Sequence, residues 1–362
     1  MQIMKNKYHL FIFGLAVIAA AACSKDEYGA PDRNKYIYDI PQTVLDNDVI
    51  TGAYYNLFTS EVDSKKSAEE PMLGWYRTYD EGVMSQHIRW ADEAGLDFFV
   101  FSWDGPSGNT LIDSFKSARE DGTQVKYVLK YDTRHLKLSN DEPLQSTAKY
   151  NAMLADFIDH IIGYIKEDTY YKIDGRPVVV ISPANLSSSA LLSIDFSLVV
   201  PKLKNDLKNF YGIDIWLIGE MGTGWVAPVN YSEHQVYSFD ALTLTSWKTR
   251  SYDVFYGYFS FLDINWNNWK TTLSRRNVDF IPCIYPSYND RKSSSGSYYY
   301  TFSEDGSTDD YINFCNVAKR NIGSSNIVLI NSWNNWNDGA NLEPSTLKGD
   351  NFLKETKLQF KK

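Results

Sequence analysis

The chain is poor in cysteine and short of positive charge. It has three cysteines in 362 residues and no Cys/His cluster with metal-ligand spacing, so no metal or other cofactor is expected. Cys283 lies in an apolar strand-like run and Cys315 in a helix-like run. They could pair outside the cytoplasm, but two buried free thiols are the simpler expectation. The 36 basic residues face 45 acidic ones, a net charge of −9, and no basic run offsets this. A nucleic acid is therefore not an expected partner. The chain also lacks internal repeats and any linker-like break, which points to one domain. No segment reads as a nucleotide-phosphate loop.

No apolar run is long enough to span a bilayer as a stable anchor. Near the N-terminus, Lys5 and Lys7 precede a 13-residue apolar run, Leu10 to Ala22, and then Cys23. This is the pattern of a cleaved signal peptide. Ala20-Ala-Ala-Cys23 resembles a bacterial lipoprotein cleavage site, which would make Cys23 the lipidated first residue and hold the protein at a membrane. Ser24-Lys-Asp-Glu27 resembles the export signal of Bacteroidota lipoproteins. Its implication is display on the outer face of the outer membrane. An ordinary signal peptide followed by an incidental cysteine is the alternative. Removal of Lys5 and Lys7 leaves 34 of the 36 basic residues against 45 acidic ones, or −11. The expected organisation is a signal peptide over 1–22, a lipidated polar tether over 23–45 and one domain over 46–362.

What is abundant is β/α alternation. Eight strand-like runs are expected at Gly52–Phe58, Asp97–Trp103, Val125–Asp132, Pro177–Ser182, Ile213–Glu220, Ala241–Trp247, Asp279–Tyr285 and Asn326–Ser332. Most are continuously apolar, as strands covered on both faces should be. Amphipathic segments fall between them at Val83–Ala94, Ala148–Ile165, Leu191–Tyr211, Tyr252–Leu273 and Tyr311–Asn321, and Leu347–Leu358 could close the ring. Gly95 fits the C-cap of the first helix. Only the connection between the fifth and sixth strands lacks a good helix. This alternation predicts an α/β fold, a single-domain (β/α)8 TIM barrel, ahead of a doubly wound sheet or two domains.

Aromatic residues are also plentiful, at 15 %. They recur with carboxylates and amides where the strands end, the face on which such barrels build their sites. The densest cluster is Asn331-Ser-Trp-Asn-Asn-Trp-Asn-Asp-Gly339, after the apolar run Ile327–Ile330. Indole faces and directed amide and carboxylate groups suit a sugar, which has apolar faces and a rim of hydroxyls. An Asn- and Gly-rich surface turn is the plainer alternative. The glycan-binding residues expected at the strand ends are Tyr54, Tyr55, Trp103, Asp104, Tyr131, Trp247, Tyr285, Trp333, Asn335 and Trp336.

Several motifs taken in order carry a resemblance. Leu73-Gly-Trp-Tyr76 with Asp80 and His87, Ala94-Gly-Leu-Asp97 and Phe101-Ser-Trp103 resemble the N-terminal half of the endo-α-mannosidase-like glycoside hydrolases of family 99 and their WbsX-type relatives. Tyr171-Lys-Ile-Asp-Gly-Arg-Pro-Val178 is similar to the segment leading into their fourth strand, and Pro282 to Asp290 to their seventh strand and loop. Ser332-Trp-Asn334, Trp336, Gly339 and Leu342-Glu-Pro344 resemble their catalytic last strand. The resemblance spans residues 50 to 345. It implies a barrel acting without a metal on α-mannosides or related glycans.

One departure bears on catalysis. The family pattern at the last strand reads Trp/Phe-Asn-Glu-Trp-x-Glu-Gly. The resemblance implies that its second glutamate is the general acid and then base, and that its first assists attack by the sugar's own 2-hydroxyl. Here those positions hold Asp338 and Asn335. An amide hydrogen-bonds a hydroxyl but accepts no proton. A glycosidase on this chain would thus use Asp338 as acid and take a second carboxylate from Glu220, Glu343 or Asp104. The alternative is a glycan-binding protein that has lost its chemistry. Glycosyl transfer, suggested by how some relatives are labelled, is a third reading.

Overall fold

A computed structural model describes residues 38–182, 194–221, 236–246, 257–293 and 302–362. Cys23 and the apolar run before it lie outside the described residues, as does Trp247. Among the described residues no helix is long and apolar enough to cross a membrane.

Eight parallel strands form the barrel. They are β1 (Ile50–Tyr55), β2 (Phe98–Trp103), β3 (Lys126–Asp132), β4 (Arg176–Ser182), β5 (Trp216–Met221), β6 (Ala241–Leu244), β7 (Asp279–Ile281, resuming at Cys283–Ile284) and β8 (Ile327–Ile330). β7 is broken because Pro282 has no N–H to give the ladder. Its first part pairs with β6 and its second with β8. β8 pairs with β1, as Gly52↔Leu329, and the ring closes.

The helices follow the expected alternation. They are α1 (Val83–Glu93), α2 (Asn109–Ala118), α3 (Thr147–Asp156, extended to Ile165), α4 (Phe196–Tyr211), α5 (Tyr258–Ser274), α6 (Asp309–Asn321) and α7 (Asn351–Phe360). Gly95 sits just past α1 at φ +72°, its N–H on the Asp92 carbonyl, as its C-cap role requires. α2 was not among the expected helices; it is only ten residues long and follows Gly105-Pro-Ser-Gly108. α7 packs between α6 and α1 in the helix layer, and its C-terminal end meets the start of β1. Val49 N–H donates to the Phe360 carbonyl at 2.8 Å, and Lys361 Nζ reaches Asp97 Oδ2 at 2.7 Å. Both described cysteines are buried free thiols. The segment expected as tether makes contacts from Tyr38 onward: Tyr38 donates to Asp263 Oδ2 at 2.7 Å, and Thr43 N–H to Asn316 Oδ1 at 3.0 Å.

Strand side chains alternate between two cores. Phe98, Val100, Val128, Val180 and Ile218 fill the barrel interior. Phe99, Phe101, Tyr127 and Leu129 point outward and pack under the helices. Gly52 faces inward, where an added Cβ would lie 2.1 Å from the Phe98 ring. That position is glycine because the ring occupies the space.

Candidate active site

The same alternation decides what reaches the barrel mouth. On the interior face the apolar layers give way to polar residues near the C-terminal ends: Tyr54, Ser102, Lys130, Asp132, Ser182, Glu220 and Thr243. Ser102 is exposed, so the mouth is open on the β2 side. Glu220 Oε1 accepts from Ser182 Oγ at 2.8 Å, and Lys130 Nζ lies 3.7 Å from Oε2. The Lys130 ammonium also sits 5.4 Å from the centre of the Tyr54 ring. Burial, and then Glu220, pushes the Tyr54 hydroxyl well above its ordinary value. Burial and Glu220 do the same to the Cys283 thiol beneath them. At the rim, Arg134 grips Asp132 through Nε and Nη2, and against the cost of burial this holds Asp132 below the usual carboxylate range. Asp104 is exposed at the end of β2 and contributes to the field on Arg134.

The stretch after β8 forms a small hairpin, Asn334–Asn335 against Ala340–Asn341. Asn335 Nδ2 donates to Asp338 Oδ2 at 2.9 Å, and the Asp338 N–H returns to Asn335 Oδ1 at 3.3 Å. The two positions that hold glutamates in the family pattern are thus bonded to each other, and both are half-exposed. Gly339 turns the chain at φ +57°, where a Cβ would meet the Asn289 carbonyl at 2.9 Å. The Asn289 N–H donates to the Asp338 carbonyl at 2.7 Å, and Ser287 Oγ to the Gly339 carbonyl at 2.6 Å. These bonds fasten Asp338 to the loop after β7. Burial, and then Asp338, raises the neighbouring Tyr288 hydroxyl.

Glu343, a candidate second carboxylate, is placed elsewhere. It is 1 % exposed, accepts from Tyr76 Oη at 2.6 Å and Trp336 Nε1 at 3.2 Å, and faces His87 Nε2 at 3.1 Å. His87 in turn meets Tyr55 Oη at 2.9 Å. Because this network lies behind β1, it joins the hairpin to α1 and the β1 loop. It does not serve the mouth.

Most of the expected aromatic platform is corrected in the same way. Trp103 and Tyr131 are fully buried on the outer face and stack at 5.6 Å; Trp103 Nε1 bonds Asn109 and Tyr131 Oη bonds Asp156. Tyr55 faces outward to His87, Trp333 packs on Phe99 at 5.2 Å, and Trp336 lies with Val62 and Tyr76. Tyr285 is 4 % exposed, its hydroxyl on the Thr245 carbonyl at 2.6 Å. Rings so enclosed offer no face to a sugar. Of the expected binding residues, the structure brings Tyr54, Asp104 and Asn335 to the mouth side, with Asp338 and Glu220. Lys130, Asp132 and Ser182 stand there too, at strand ends legible in the sequence but not among the expected glycan-binding residues. The two-residue period of the strands was the signal: Phe98, Val100 and Ser102 share one face, and Val128, Lys130 and Asp132 another.

Two surface clefts lie away from this site. One, of about 500 Å³, is bordered by Tyr38, Asp263 and Arg320; the other, of about 680 Å³, by Trp216, Asp240 and Asp279 at the opposite end of the barrel. Among the described residues no group of three or more His, Cys, Asp or Glu is arranged to hold a metal.

Residues 62–356 match the model of the family described as "Glycosyltransferase WbsX". The chain belongs to the WbsX family. Among solved structures, it is similar to one described as a glycoside hydrolase-like protein, with 23 % identity over 91 % of this chain and 99 % of the other and a TM-score of 0.76. It also resembles the GH99 endo-α-mannosidase from Bacteroides thetaiotaomicron, with 17 % identity over 86 % of this chain and 97 % of the other and a TM-score of 0.61. A GH26 endo-β-1,4-mannanase catalytic domain from Bacillus sp. JAMB-750 shares 10 % identity over 87 % of each chain, with a TM-score of 0.54. No curated protein sequence matches the chain. The WbsX member thus has a glycoside hydrolase-like (β/α)8 barrel.

Proposed function

We propose that this WbsX member is a glycoside hydrolase on an α-mannoside or related polysaccharide, with Asp338 as general acid and Glu220 as the second carboxylate. The observation that carries this reading is the inward projection of Glu220 at the C-terminal end of β5, with Oε2 lacking any hydrogen-bond partner among the described residues. Asp338 is half-buried after β8, and the sequence resemblance sets it against the second glutamate of the pattern, which supports its role as acid. The α-mannosidase description of the GH99 neighbour supports the substrate class. In hydrolysis Asp338 would protonate the leaving glycosidic oxygen. Glu220 would attack the anomeric carbon or activate water, giving retention or inversion respectively.

A binding-only reading is favoured by one residue. Asn335 puts an amide, already bonded to Asp338, where the family pattern has a glutamate. Product release from mannan and mannose-containing oligosaccharides separates the two. Hydrolysis predicts new reducing ends that disappear in Asp338→Asn and in Glu220→Gln. Glycan binding without any product by the wild type establishes the binding reading instead. Product formed only when a nucleotide-activated sugar is supplied would establish transfer. We further propose attachment through acylated Cys23 at the outer face of the outer membrane, in the service of polysaccharide utilisation. Loss of metabolic fatty-acid labelling in Cys23→Ser tests this; undiminished labelling contradicts it.

A further inference from the structure

The floor of the mouth contains an unusual set of incompletely bonded groups. Lys130 Nζ makes no hydrogen bond among the described residues, although its side chain is only 16 % exposed. Its 3.7 Å separation from Glu220 Oε2 is an ion-pair distance, too long for a hydrogen bond. Glu220 Oε2, Tyr54 Oη and Thr243 Oγ1 are all buried without a partner among the described residues. Thr243 is the register partner of Glu220 on the next strand. Glu220 is among the groups that raise the Tyr54 hydroxyl, which places the two side by side, and the Lys130 ammonium lies 5.4 Å from the centre of the Tyr54 ring. Buried polar atoms are nearly always satisfied by protein, water or ligand. Here several stand side by side at the ends of neighbouring strands.

We infer that Lys130, Glu220 and Tyr54 clamp a vicinal diol of a sugar ring, with Lys130 as the residue that selects for it. This deepens the glycan reading above and rests on it. A hydroxyl both donates and accepts. One of two adjacent hydroxyls donates to one lone pair of Glu220 Oε2, leaving the other for its part in hydrolysis, and its neighbour accepts from Lys130 Nζ, with the Tyr54 hydroxyl as a further donor. The charges also select the ligand. Glu220 opposes a carboxylate or sulfate group, Lys130 opposes a cation, and a neutral polyol suits both.

The test is calorimetric titration of the purified mature protein with methyl α-D-mannopyranoside, methyl α-D-glucopyranoside and their 2-, 3- and 4-deoxy analogues. For the wild type, removing one hydroxyl of the clamped pair is expected to weaken binding about 10- to 100-fold, the range for a hydrogen bond to a charged group. Lys130→Met, which keeps most of the stem, is expected to weaken the parent glycoside at least about tenfold and to erase its advantage over that deoxy analogue. Tyr54→Phe removes only the hydroxyl and is expected to weaken the parent several-fold, a smaller loss of the same kind. Equal binding and equal discrimination in wild type and both variants overturns the clamp. So does tighter binding of the corresponding methyl uronate, or the failure of every glycoside to bind the wild type. Asp338→Asn is expected to keep the discrimination and lose product release. If it keeps both, Asp338 is not the acid and the clamp stands; if the wild type itself releases no product, the hydrolase reading fails and the clamp stands.

Discussion

Two buried carboxylates, Glu220 at the end of β5 and Glu343 beyond the hairpin that follows β8, lie on opposite sides of the barrel wall. Glu343 is enclosed: Tyr76, Trp336 and His87 surround it, and no part of it meets the mouth. Among the described residues Glu220 is bonded on one side, to Ser182, and its other oxygen faces the Lys130 ammonium at 3.7 Å. Each keeps one oxygen without a hydrogen-bond partner among the described residues, Glu343 Oε1 opposite His87 and Glu220 Oε2 opposite Lys130. What separates them is where they stand: Glu343 is sealed among Tyr76, Trp336 and His87 behind β1, whereas Glu220 projects into the barrel at the end of β5.

This comparison can be broken by mutation. Glu343→Ala strips the acceptor from the buried Tyr76 and Trp336 donors at once and should cost about 2–5 kcal/mol, the sum of two buried donors left unpaired. Chemical denaturation measures it, and a loss under 1 kcal/mol would show that the network is not structural. Next comes Gly52→Ala, which drives a Cβ into the Phe98 ring at 2.1 Å. The expected cost is about 1–3 kcal/mol of overpacking strain, read as a lowered unfolding midpoint. Trp103→Phe removes the bond to Asn109 and should cost about 1 kcal/mol, with glycan affinity unchanged. A weakened affinity in a variant of unaltered stability would return Trp103 to the binding surface.

The smallest effect concerns pH. Burial opposes the charge on His135, but Asp156 at 2.8 Å prevails and holds His135 above its ordinary value. A raised folded-state value means that its stabilisation is complete below the unfolded value, about 6.5, and fades as pH rises through the folded value. Asp156→Asn should therefore flatten the fall in melting temperature above about pH 6.5. An unchanged slope would remove this pair from the stability account.

The barrel was legible because continuous apolar strands and intervening amphipathic helices are each encoded locally. Gly95 and the alternation of its neighbours mark the end of α1 without help from distant residues. The mouth was harder to read. Trp103, Tyr131 and Trp333 stand at strand ends and have the chemistry of a sugar platform, but the period of two turns them under the helices. Lys130 lies one position away from Tyr131, an expected binding residue that the same period turns outward. The partners of Glu343 are far apart in sequence: Tyr76 and His87 reach it across the fold. No local pattern encodes such a contact. The Asn335–Asp338 bond closes within four residues, yet its meaning depends on what stands across the mouth.

Product release by Glu220→Gln is the most direct test. The account predicts a folded protein with turnover of a mannose-containing glycan reduced about 10²- to 10⁴-fold, the loss typical of a positioned acid–base group. Wild-type turnover in that variant would contradict it and return the second carboxylate to another residue.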